Sequence, residues 1–174
     1  DRLFDKESAS KLVNKVRGKM GEVTKSQGNK SEEQPPLLYD LTALQMDCNK
    51  KFSFSAKKTL DIAQKLYENQ LLTYPRTNSR HLSEDLKSEI PEIIRAMPND
   101  YKLFKDKLLK EKLFYSKRFF DDRKVDSHHA IIPTYKVASG LSADEEKLYN
   151  LVIESLLKAF MPNAVWFNSK IETL

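Results

Sequence analysis

The chain has 174 residues, 40% of them hydrophobic, and a formal charge of +5 at neutral pH. That length suits one domain with a real core, or one domain plus pieces of another, and no apolar run approaches the about 20 residues of a membrane-spanning helix. Cys48 is the only cysteine, which excludes an internal disulfide and points to a reducing compartment.

Residues 1–34 are polar and read as a strand and linker segment. A start at Asp1 without methionine and an end on an apparent strand lead to the expectation of an excised fragment, and no signal-peptide pattern is seen. Ser8 to Met20 fits a short helix or a strand, and Gly21 to Lys25 fits one strand. Pro35-Pro36 marks a boundary and offers a first-turn proline to a helix in which Leu37, Leu41, Leu44 and Cys48 recur at helical spacing. Ser55 caps a second helix over 56–69, with Ala56, Leu60, Ala63 and Tyr67 as its apolar stripe. Gln64 and Glu68 lie together on another face of it. A third helix starts near Ser83, Pro91 breaks or kinks it, and Pro98 ends the run. Tyr101 to Leu113 is a basic amphipathic helix anchored by Phe104, Leu108 and Leu109. Arg123 to Pro133 is a loop entering a short extended segment. The last helix opens on a capping box, Ser142 with Glu145, and Pro162 stops it. Val165 to Leu174 is a strand able to pair with the Gly21–Lys25 region. The expected fold is mainly α: a helical domain over 35–163, flanked by the strand pieces 1–34 and 164–174.

The charge is unevenly spread. Nine basic and four acidic residues lie between Lys102 and Lys124, so the rest of the chain sums to zero. Phe114, Tyr115, Phe119 and Phe120 are interleaved with that charge. Two readings fit: a solvated face with the aromatics turned to the core, or a surface for nucleic acid.

The densest chemistry is Thr73-Tyr74-Pro75-Arg76-Thr77-Asn78-Ser79. Proline disfavours the helical region for the residue before it, so Tyr74 is expected to be extended. In an extended segment residues i and i+2 share a face, roughly 6.5–7 Å apart. Tyr74 and Arg76 can then meet one phosphate: an oxygen nucleophile beside a cation that steadies the phosphorus oxygens. A phenol titrates near about 10 and is mostly protonated at neutral pH. A guanidinium favours the phenolate, and its planar fork can hold two phosphate oxygens.

Three further stretches surround this motif: Pro35-Pro36-Leu37-Leu38-Tyr39-Asp40-Leu41-Thr42-Ala43-Leu44-Gln45, Ala63-Gln64-Lys65-Leu66-Tyr67-Glu68, and Ser127-His128-His129-Ala130-Ile131-Ile132-Pro133-Thr134. In this order and spacing the set resembles the central region of type IA DNA topoisomerases, and the Tyr-Pro-Arg form is similar to the topoisomerase III branch. The resemblance runs from about Pro35 to Pro162. It implies a helical tyrosine-bearing domain with a winged-helix-like core, set between strands of the domain that arches over the DNA gate. It implies transient cleavage of one DNA strand through a 5′-phosphotyrosine link, strand passage and religation without ATP.

By the same resemblance, Tyr74 is the nucleophile, Arg76 positions the phosphate, and His128 binds a backbone phosphate or moves charge near the scissile bond. His129 points elsewhere. Gln64, Glu68, Thr77 and Ser79 are candidate DNA-binding residues, although Thr77 and Ser79 suit the capping of a backbone turn better than reaching a phosphate. Asn78 departs from the aspartate expected at its position. The implied partners are single-stranded or underwound DNA and the Toprim and other domains of the same polypeptide, with no membrane, in the cytoplasm or at the nucleoid of a bacterium.

No metal ligands are expected in this chain: three histidines and one cysteine make no zinc spacing, and Asp121-Asp122 and Asp144-Glu145-Glu146 lack the alternating acids of a Toprim magnesium site. Mg²⁺ would belong to the intact enzyme, and the isolated chain is expected to be inactive. The alternative is a non-catalytic helical module that binds single-stranded nucleic acid, with Tyr74 stacking on bases.

Overall fold

The computed structural model describes residues 3–111 and 113–174; Asp1, Arg2 and Lys112 lie outside them. Six α-helices and one two-stranded antiparallel sheet are found among the described residues, so the chain is mainly α. It divides into two compact units, one built from the two ends and one from residues 34–163.

In the first unit, helix α1 (Lys6–Val16) is capped by Asp5, whose carboxylate accepts the N–H groups of Glu7 and Ser8. Strands β1 (Val23–Glu33) and β2 (Ala164–Thr173) pair antiparallel, with Gly28 opposite Ser169 and Glu33 opposite Ala164. β1 is longer than the expected Gly21–Lys25 strand. Its extension, Ser26 to Glu33, is polar and exposed throughout, so ladder hydrogen bonds carry it and no period-two apolar signal reveals it.

In the second unit the core gathers on α6 (Ala143–Ala159), which buries Leu148, Tyr149, Leu151, Val152, Ile153, Leu156 and Leu157. Its capping box forms as expected: Ser142 Oγ accepts from Glu145 N–H, and Glu145 Oε2 accepts from Ser142 N–H at 2.8 Å. Helices α2 (Leu41–Phe52) and α3 (Ala56–Glu68) pack together, and α3 also packs on α6. α2 begins later than Pro35-Pro36 suggests. Asp40 is its cap, accepting Ala43 N–H at 2.6 Å, while Tyr39 is held extended by a bridge to Ile131. Cys48 is in the core, and burial pushes its thiol up to about 11.

The buried stripe of α3 is Thr59, Ala63 and Leu66. Ala56 and Tyr67 are exposed, against the stripe read from the sequence. A polar residue hides the true face: Thr59 returns its hydroxyl to the Ser55 carbonyl at 3.1 Å and can then be buried. Pro91 does not kink a helix. It opens α4 (Ile90–Ala96), where no N–H is required, after a 3₁₀ turn over Glu84–Ser88. Helix α5 is shorter than expected (Lys102–Lys110), and Phe104 is half exposed while Leu108 is buried. Of the interleaved aromatics, Phe119 and Phe120 enter the core, Tyr115 packs edge-on against Phe120, and Phe114 is exposed.

Candidate active site

The site is assembled where the chain leaving α3 runs beside residues 128–134. Thr73 N–H donates to the Ile132 carbonyl at 3.0 Å, Thr134 N–H donates to the Leu71 carbonyl at 3.1 Å, and Leu72 forms an antiparallel bridge with Pro133. Two sequence-distant motifs therefore share one short ribbon. Past Tyr74 the chain bends at Pro75 and Arg76 rather than continuing extended. The bend is held from the far side: Leu41 N–H, in the first turn of α2, donates to the Thr77 carbonyl at 3.1 Å.

Tyr74 is half-buried and Arg76 exposed. The Tyr74 ring centre lies 4.4 Å from that of His128 and 5.4 Å from that of Tyr67, the latter edge-on at 75°. His128 is exposed, whereas His129 turns Nδ1 to the Ala130 carbonyl at 2.8 Å. The phenol and one imidazole are thus brought together, at a surface where a ligand can reach them.

Thr77 and Ser79 are buried, and their hydroxyls are committed to the main chain. Thr77 Oγ1 donates to the His128 carbonyl at 2.8 Å and accepts Ser79 N–H at 3.1 Å. Ser79 Oγ donates to the Lys124 carbonyl at 3.0 Å. Both therefore hold the loops around the site. Asn78, between them, is exposed. Arg80 straps the far end of the motif to the chain before α2, donating Nε to the Leu38 carbonyl at 2.8 Å and a terminal nitrogen to the Leu37 carbonyl at 3.1 Å.

Gln64 and Glu68 pair on α3 as their spacing implies, Gln64 Nε2 donating to Glu68 Oε1 at 3.0 Å. Gln64 Oε1 is buried with no hydrogen-bond partner among the described residues. Tyr67 lies between this pair in sequence and touches Tyr74. Sequence reasoning assigned Tyr67 to the core stripe, although its i, i+3 relation to Gln64 already placed it toward the polar face. Thr73 and Arg80 were also missed; they work through main-chain N–H and carbonyl groups, which leave no sequence signal. Among the described residues no group of three or more His, Cys, Asp or Glu could hold a metal ion, and no helix is long and apolar enough to cross a membrane.

A profile of the DNA topoisomerase family matches residues 1–174. The chain belongs to that family. It is 42% identical to the DNA topoisomerase 3 of Bacillus cereus over 165 residues, covering 92% of this chain and 23% of that protein. It is 38% identical to the DNA topoisomerase 3 of Bacillus subtilis, covering 98% and 24%, and 34% identical to that of Vibrio cholerae, covering 98% and 27%. The chain thus spans about a quarter of the length of these relatives. Its fold is similar to part of full-length topoisomerase I from Thermotoga maritima, with a TM-score of 0.66 at 23% identity, covering 98% of this chain and 28% of that one. The resemblance to the type IA enzymes and their topoisomerase III branch is borne out.

Proposed function

We propose that this chain is the tyrosine-bearing part of an enzyme that cuts one DNA strand, passes another through the gap and reseals it. The observation that carries the reading is the packing of Tyr74 on His128 at an accessible surface, with Arg76 exposed two residues on. In this reading residues 35–163 form the winged-helix-like tyrosine domain, and 1–34 with 164–174 belong to the arch.

The step is a transesterification. Tyr74 Oη attacks phosphorus of a single-stranded or underwound DNA backbone, and the phenol proton leaves. A phosphotyrosine bond to the 5′ phosphate forms as the bond to the 3′ oxygen breaks, and that oxygen takes up a proton. The bond count is conserved, so religation is the reverse step and needs no ATP. Arg76 sets its fork on the non-bridging oxygens, where charge accumulates in the transition state. His128 holds the phenol ring and offers a ring nitrogen to a backbone phosphate. Gln64 and Glu68 contact the strand from α3, and Thr77 and Ser79 keep the two loops around it in register.

The family's Mg²⁺ would add positive charge at the phosphate. Among the described residues no carboxylates gather into a site for it, and in this reading its ligands would come from a Toprim domain elsewhere in the polypeptide. In this reading the chain alone is inactive without the Toprim domain, and the intact enzyme is cytoplasmic, nucleoid-associated if bacterial. The test is relaxation of negatively supercoiled plasmid. The full-length enzyme relaxes it, its Tyr74→Phe variant does not, and this chain alone does not. A Tyr74→Phe enzyme that still relaxes DNA would favour the stacking-module alternative, since phenylalanine keeps the ring.

A further inference from the structure

Thr73 stands immediately before the tyrosine, and its hydroxyl is used twice. It accepts Ile132 N–H at 3.0 Å and donates to the Ala130 carbonyl at 3.2 Å. Thr73 N–H in turn donates to the Ile132 carbonyl at 3.0 Å. In a regular antiparallel pair two residues exchange both main-chain bonds. Here the return bond goes to the Thr73 side chain instead of its carbonyl. The neighbouring pair, Leu72 with Pro133, has a proline that gives no N–H. The hydroxyl therefore closes the last pairing before the chain turns away at Tyr74.

Ala130 and Ile132 are buried and Thr73 is half-buried, so the main-chain groups this hydroxyl serves lie against the core. His128 lies two residues before Ala130, and Thr77 holds its carbonyl. Two threonine hydroxyls, one on each side of Tyr74, pin the segment that carries the imidazole.

We infer that Thr73 is a positioning residue for strand cleavage: its hydroxyl fixes the Tyr74 ring against the His128 imidazole by locking residues 130–132 beside it. The inference rests on the reading of Tyr74 as nucleophile. Thr73 acts through the placement of its neighbours, where a displacement of the order of an ångström is enough to slow a reaction.

The test uses the full-length enzyme and a labelled single-stranded oligonucleotide. Single-turnover formation of the covalent adduct is followed, with DNA affinity measured separately by anisotropy. Thr73→Val is expected to slow cleavage about tenfold with affinity held within about twofold, the split of an interaction needed for the reaction and not for binding. Thr73→Ser restores the rate to within about threefold, because the hydroxyl returns. In a His128→Ala background Thr73→Val costs less than about twofold, because the group it positions is gone. Thr73→Ala carries the same expectations if the valine variant does not fold. Wild-type rates in Thr73→Val, slow cleavage in Thr73→Ser, or an undiminished loss in the His128→Ala background overturns the inference and leaves the nucleophile reading standing. A wild-type enzyme with no adduct, or an adduct retained by Tyr74→Phe, overturns both.

Discussion

The imidazole of His128 leans on the phenol ring of Tyr74, with ring centres 4.4 Å apart and planes inclined by 46°. The two residues are 54 positions apart in sequence and meet because residues 71–73 pair with residues 132–134. Tyr67 adds an edge-on contact from α3 at 5.4 Å. Aromatic pairs of this kind are worth about 0.5–1.5 kcal/mol beyond the area they bury. The ring of Tyr74 is thus oriented by its two aromatic neighbours.

Tyr67 is therefore expected to matter as a ring. Tyr67→Phe should leave single-turnover cleavage by the full-length enzyme unchanged. Tyr67→Ala should slow it by about three- to tenfold, the rate equivalent of roughly one aromatic contact. Equal rates for the two variants would remove Tyr67 from the account.

Glu145 supplies a pH dependence. Its buried carboxylate sits 2.6 Å from Lys65 Nζ and also caps α6. Lys65, then Ser142, hold it down at about 2, below its ordinary 4.5. A lowered folded-state value means the stabilisation is present above about 4.5 and is lost as pH falls toward about 2. In thermal unfolding, Glu145→Gln should lower Tm at pH 7. The gap to the wild type should narrow as pH is lowered through that window. A gap that stays constant down to pH ~2.5 would contradict the pairing.

Tyr149 predicts a change in the other direction. Its ring is buried in the core, and its hydroxyl has no hydrogen-bond partner among the described residues. Burial alone pushes it up to about 12. An unsatisfied buried hydroxyl costs about 1–3 kcal/mol. Tyr149→Phe should therefore raise the urea midpoint by an amount equivalent to about 1 kcal/mol or leave it unchanged. A clear loss of stability would mean that the hydroxyl is bonded to ordered water.

The sequence made some of this legible, for physical reasons that differ by element. The capping box of α6 is a local signature with a fixed spacing, and it forms between the residues expected. The family motifs singled out Tyr74 and His128 in sequence, and the structure brings these two rings together. The stripe of α3 was misread because Thr59 satisfies its own hydroxyl within the helix and passes as core. The long polar reach of β1 was missed because main-chain pairing requires no apolar residue. The extended run expected through Tyr74 and Arg76 meets a bend at Pro75 and Arg76, beyond which Leu41 N–H donates to the Thr77 carbonyl. No local rule contains that long-range contact. Arg80 was invisible for the same cause, since its partners are the carbonyls of Leu37 and Leu38.

The most direct measurement is to trap the full-length enzyme on labelled single-stranded DNA with a denaturant, digest the adduct, and sequence the modified peptide by mass spectrometry. After trypsin, the account predicts one modified peptide running from Leu66 to Arg76, with the nucleotide joined through its 5′ phosphate to Tyr74. A modification mapped to any other residue, or a covalent adduct undiminished in Tyr74→Phe, would contradict it.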